Sequence, residues 1–88
     1  MVHKIKVTES YADAVLEGRK TFEVRLNDRG YNAGDFVQFK VVESRFSSLV
    51  YTSHKLNDKQ FVITYVYSGK GLEPNYVVFG FKPVECEE

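Results

Sequence analysis

Four separated stretches of this chain carry a core-forming residue at every second position. His3, Ile5 and Val7 oppose Lys4 and Lys6; Phe22, Val24 and Leu26 oppose Thr21, Glu23 and Arg25; Phe61, Ile63 and Tyr65 form a third row, and Val77, Phe79 and Phe81 a fourth. A period of two belongs to strands, whose side chains point to opposite faces in turn, and a chain dominated by it must pair them into a sheet with one buried face. Phe36 to Val42 adds a further run of Phe, Val, Gln and Lys. One segment departs from the pattern. Ala12, Val15 and Leu16 are spaced for a helix, with Ser10 placed to cap it, Asp13 in the capping-box position and Gly18 to end it. That helix is two turns long, too short to be stable alone, so its apolar stripe must close one side of the sheet.

The connections carry turn chemistry. Asn27-Asp28-Arg29-Gly30, Ala33-Gly34-Asp35 and Asn57-Asp58-Lys59 contain residues that tolerate tight backbone geometry, and Ser68 to Asn75 forms a longer loop. Ser44 to Ser53 reads as a mobile Ser-rich connection, and His54 to Leu56 as a short strand before the stronger Phe61 to Tyr67. With 88 residues there is room for one domain, taken as residues 1–84 with an acidic tail at 85–88, and six Tyr and seven Phe supply core volume. The expected class is mainly β (α+β): a small, strongly curved sheet or pseudo-barrel of five to six strands, with one short helix after the first strand.

Several function classes are disfavoured. No run approaches the roughly 18 to 20 apolar residues that span a bilayer, and no signal-peptide pattern opens the chain, so a cytosolic protein without membrane contact is expected. Cys86 is the single cysteine, which argues against a disulfide-stapled scaffold, and His3, His54 and Cys86 lack zinc-ligand spacing. No metal or other cofactor is expected. Net charge is zero, yet the acidic tail accounts for three carboxylates, leaving 12 basic against 9 acidic residues over positions 1–84. The folded part is mildly basic: either the tail simply aids solubility, or the rest carries a local basic surface of the kind a polyanion ligand needs.

The segment Gly18 to Gly30 concentrates seven charged or amide side chains in one strand and turn. This chain resembles the ASCH superfamily, small relatives of the PUA RNA-binding domain, and within it the subgroup described as a domain of unknown function, DUF3850. The resemblance is carried by His3-x-Ile5-Lys6-Val7, the helix with Tyr11 and Gly18, Lys20-Thr21-Phe22-Glu23-Val24-Arg25, Asn27-Asp28-Arg29 and Gly34-Asp35, and runs less distinctly to the last strand. It implies a PUA-like barrel with an RNA- or nucleotide-binding cleft where the strand after the helix meets the following loop.

Each site residue has a structural and a functional reading. Lys20 either complements the helix C-terminus or contacts phosphate or base. Glu23 and Arg25 share a strand face, and an exposed pair would contribute at most about 1 kcal/mol. In a cleft, Arg25 offers a donor fork to phosphate or a base edge, and Glu23 accepts from an exocyclic amino group. Asn27 and Asp28 suit the turn, whereas Arg29 has no local partner and is assigned to ligand. His3 lies on the apolar face, as a hydrogen-bonded core residue or as part of the site. Tyr31, Tyr51 and Tyr76 are the aromatics available for stacking on a base.

Two functions compete: an RNA- or nucleotide-binding module using Lys20, Glu23, Arg25, Asn27, Arg29 and His3, and an amidohydrolase on acylated nucleosides. The second comes from the resemblance, in which a Lys at the position of Lys20 activates a Thr three residues later. Here that position is Glu23, and Thr21, adjacent to Lys20, would point to the other face of a strand, so Lys20 and Glu23 are the catalytic candidates with no hydroxyl nucleophile beside them. Binding is the preferred reading.

Overall fold

The computed structural model describes residues 1–84. Cys86 and the acidic tail lie outside them. Six strands form one sheet: β1 (Val2–Thr8), β2 (Phe22–Leu26), β3 (Phe36–Arg45), β4 (Ser48–Tyr51), β5 (Gln60–Tyr67) and β6 (Tyr76–Pro83), with α1 (Glu9–Leu16) after β1 and a 3-10 turn at Lys55–Asp58. The hydrogen-bonded path is β1-β3-β5-β6-β2, with β4 paired to β3. β1 runs parallel to β3, which a crossover through α1 and β2 makes possible, and the other pairs are antiparallel. β1 and β2 therefore end the path, and the fold matches the expected small curved sheet with one early helix.

The core is largely aromatic. Phe39 and Phe81 have ring centroids 5.2 Å apart, Phe61 lies 5.4 Å from Phe39 and 5.3 Å from Phe81, and Tyr31 sits 5.0 Å from Phe79. Ile5, Val7, Val37, Val41, Ile63 and Val77 fill around them, and Ala12 and Val15 cover one side from α1. His3, Ile5 and Val7 bury as their alternation predicts, and so do Val77, Phe79 and Phe81.

Five local expectations need correction. Helix α1 begins at Glu9 with Thr8, not Ser10, at its N-cap, and no side chain caps it. The chain passes directly from β1 into the helix, and Asp13 is drawn away to His54, whose Nε2 lies 2.8 Å from Asp13 Oδ1. Ser44 to Ser53 is not a loose connection but the β3–β4 hairpin, with Arg45 opposite Ser48. Phe46 and Ser47 make its two-residue turn with φ of 50° and 64°, a geometry usually signalled by Asn or Gly and so hidden here. Residues 54–56 form no strand: His54 Nδ1 accepts from the Leu56 N–H at 3.1 Å and starts the 3-10 turn, which buries Leu56 completely.

Tyr65 leaves the buried row of β5, because the β5–β6 register shifts between Ile63 and Tyr65 and turns the ring outward. The fifth correction concerns β2. Phe22, Val24 and Leu26 are about half exposed, while Glu23 is only 7% exposed. Its alternation is real, but the inward row is the polar one.

Candidate functional site

The inversion of β2 follows from its place at one end of the sheet. Beyond it lies the other end, β1, whose single ladder partner among the described residues is β3. A free strand edge presents unpaired backbone groups, and here two arginines bond to it. Arg25 Nη2 donates to the carbonyl of Lys6, and Arg29 Nη1 to the carbonyl of Lys4. Guanidinium groups thus bridge a seam that no backbone ladder closes. Arg29, without a local partner in the sequence, acquires this one from 25 residues away.

Glu23 stands behind the seam. Its Oε2 accepts from Arg25 Nε at 3.0 Å, and its Oε1 accepts from Lys20 Nζ. Gly18, at φ 80°, ends the helix, and the amides of Arg19 and Lys20 both bond the Ala14 carbonyl, which delivers Lys20 to the carboxylate. The Lys20 ammonium also lies 5.1 Å from the Tyr11 ring centroid and 5.6 Å from that of Phe22. One carboxylate therefore serves two cations, leaving the cluster a net positive charge. The side chains of Lys20 and Arg25 remain 18% and 27% exposed, so both reach solvent.

Beside this cluster is a cleft of about 330 Å³ lined by Lys6, Val7 and Thr8 of β1, Tyr11 of α1, Glu23 to Leu26 of β2, and Tyr76. Of the expected site residues, Glu23, Arg25 and Tyr76 line this cleft, and Lys20 stands beside it, bonded to Glu23. Lys6 and Tyr11, which carry the resemblance in the sequence but were not assigned to the site, join them. Tyr31 is buried rather than available for stacking. Burial pushes its phenol above the usual value near 10, partly offset by the positive charges of Arg29 and Arg25.

The remaining candidates are placed elsewhere. Asn27 holds the turn through its Oδ1, which accepts from the Tyr31 N–H at 3.3 Å, and lines a separate hollow with residues 68–69 and 72–77. Arg29 lines a groove with Lys4, Lys6, Lys40, Tyr51 and Asn57. His3 is buried, its ring 4.7 Å from Tyr31 and its Nε2 2.8 Å from Asp35 Oδ2. It acts as a hydrogen-bonded core residue that ties β1 to the turn before β3. Among the described residues, no group of three or more His, Cys, Asp or Glu side chains could hold a metal ion, and no helix is long and apolar enough to cross a membrane.

The His3 link carries a pH signature. The hydrogen bond from His3, followed by that from the Asn32 N–H, holds the Asp35 carboxyl below its usual value of 3.8 against the opposing effect of burial. A carboxyl lowered on folding contributes stability that is complete above its unfolded value and is lost as pH falls through the folded one. Urea midpoints should therefore drop on acidification through this range, and Asp35→Asn should flatten that part of the profile. An unchanged acid limb would show that Asp35 does not carry it.

Comparison with known proteins agrees with the architecture. The chain is similar to the crystal structure of hypothetical protein PH0355, with a TM-score of 0.61 at 13% identity, over 96% of this chain and 100% of that one. Protein PF0455 from Pyrococcus furiosus, solved by NMR, gives a TM-score of 0.51 at 13% identity over 98% and 100%. Likeness at that identity is one of fold. An uncharacterized 12.9 kDa protein in the GpA 3' region of Escherichia phage P2 is 47% identical over 34 residues, 39% of this chain and 31% of that protein. The match thus spans about a third of that relative's length. The family model described as a domain of unknown function, DUF3850, covers residues 2–81, and the chain belongs to that family.

Proposed function

We propose that this domain binds RNA or nucleotides in the cleft between β1 and β2. The observation that carries this reading is the burial of Glu23 between two cations that stay open to solvent. Glu23 fixes Arg25 in the cleft and Lys20 beside it, which leaves their remaining donors for a phosphate or a base edge. Both Glu23 oxygens are engaged, which makes the carboxylate a positioning group for the cations. Tyr11 and Tyr76 supply aromatic surface in the same cleft.

Arg25→Ala and added salt should each weaken the binding of short single-stranded RNA, measured by fluorescence anisotropy. Affinity insensitive to both would sink the reading. An amidohydrolase would need Lys20 to activate a hydroxyl, but its ammonium engages Glu23 and position 23 has no hydroxyl. Acylated cytidines should therefore persist in the presence of the protein. Release of cytidine that stops on Lys20→Ala would favour the enzyme instead.

A further inference from the structure

The groove holding Arg29 is chemically unlike the cleft. It has a volume of about 680 Å³ and is lined by Lys4, Lys6, Arg29, Lys40, Tyr51 and Asn57: four cations, one aromatic, one amide and no carboxylate. A chain with zero net charge thus places a third of its 12 Lys and Arg residues around one depression. The fold causes this concentration. Lys4 and Lys6 are the outward residues of β1, and the parallel register sets Lys6 beside Lys40 of β3. Adjacent strands lie about 4.8 Å apart and alternate residues about 7 Å apart along a strand, so like charges are held close on a rigid surface. Arg29 is fixed by its bond to the Lys4 carbonyl. Such juxtaposition is unfavourable without a counter-charge and is matched by a ligand bearing several negative charges.

Tyr51 narrows the ligand class. Its side chain is part of β4, is 69% exposed, and has the Lys6 ammonium 5.8 Å from its ring centroid. Cations flanking an open aromatic ring match a polymer that alternates phosphates with planar bases, as single-stranded nucleic acid does. An acidic peptide supplies charge without the stacking partner. The groove also meets the cleft, because Lys6 lines both.

We infer that the β1–β3–β4 face is a second nucleic-acid subsite, in which Lys4, Lys6, Lys40 and Arg29 hold the backbone of a single strand and Tyr51 stacks on one of its bases. The inference rests on the nucleotide reading of the cleft only for the passage of one strand across both. The ligand class becomes an oligonucleotide rather than a mononucleotide.

The test measures binding of a fluorescent oligouridylate and oligothymidylate, each about ten nucleotides long, across a salt series, with uridine 5'-monophosphate as competitor. The proteins are wild type, Lys4→Ala/Lys40→Ala, Tyr51→Ala and Arg25→Ala, each checked for folding by circular dichroism. The double lysine variant should reduce the slope of log K against log salt by about 1.4, from roughly 0.7 per lost phosphate contact. Tyr51→Ala should weaken the oligomer about tenfold, from the usual strength of aromatic stacking. Neither should alter mononucleotide binding.

Unchanged slope and affinity in both groove variants would overturn the inference, even if Arg25-dependent mononucleotide binding persists and upholds the cleft. Groove-dependent oligomer binding that ignores Arg25→Ala would support the groove and refute the cleft. Displacement of the oligomer by oligoglutamate at equal charge concentration would overturn the assignment to nucleic acid.

Discussion

Glu23→Ala is expected to lower the unfolding free energy by about 2 to 3 kcal/mol, below the full 3 to 5 kcal/mol of a deeply buried ion pair because its cationic partners reach water. The substitution removes the acceptor of two charge-assisted hydrogen bonds and leaves Lys20 and Arg25 facing each other without a counter-charge. Lys20→Ala should cost less, since Glu23 then retains Arg25. Glu23→Gln keeps the volume but cannot compensate two cations, so it should fall between the two. Urea unfolding measures all three, and a shift below about 0.5 kcal/mol for Glu23→Ala, the size typical of surface substitutions, would mean that the cluster does not organise β2.

Arg25 should give the largest effect on binding. Its guanidinium bonds Glu23 through Nε and the Lys6 carbonyl through Nη2, so β2, the β1 edge and the cleft all depend on one planar group. Losing its contact to an anionic ligand should weaken binding about ten- to a hundredfold, since hydrogen bonds to charged groups contribute roughly 1.5 to 3 kcal/mol. Arg25→Lys preserves charge, but its three donors sit on one nitrogen and lack the planar fork that spans Glu23, the Lys6 carbonyl and a ligand at once, so it should recover little affinity. Arg25→Ala should also open the β1–β2 seam, visible as faster amide exchange in β1. Wild-type affinity in Arg25→Lys would show that only net charge matters there.

Much of the fold was legible because local pattern and tertiary demand agree. In β1 and β6 the apolar row is also the buried row, and in α1 the spacing of Ala12 and Val15 selects the packed face. β2 shows where that logic ends. Periodicity reveals two faces but not which one turns inward, and the choice was made by Lys20 across the helix end and by the β1 edge across the seam. The Phe46-Ser47 turn was hidden because neither residue advertises positive φ. Lys20, Glu23 and Arg25 could be nominated from one strand and its approach. The groove could not, since Lys6 and Lys40 meet only through the parallel β1–β3 register.

The most direct test of the cleft is an NMR titration of the 15N-labelled protein with a nucleoside monophosphate, followed by short single-stranded RNA. Saturable amide shifts centred on Lys6, Tyr11, Lys20, Glu23 and Arg25, lost in Arg25→Ala, are the predicted result. Shifts that do not saturate, or that avoid β2 altogether, would contradict a nucleotide site between β1 and β2.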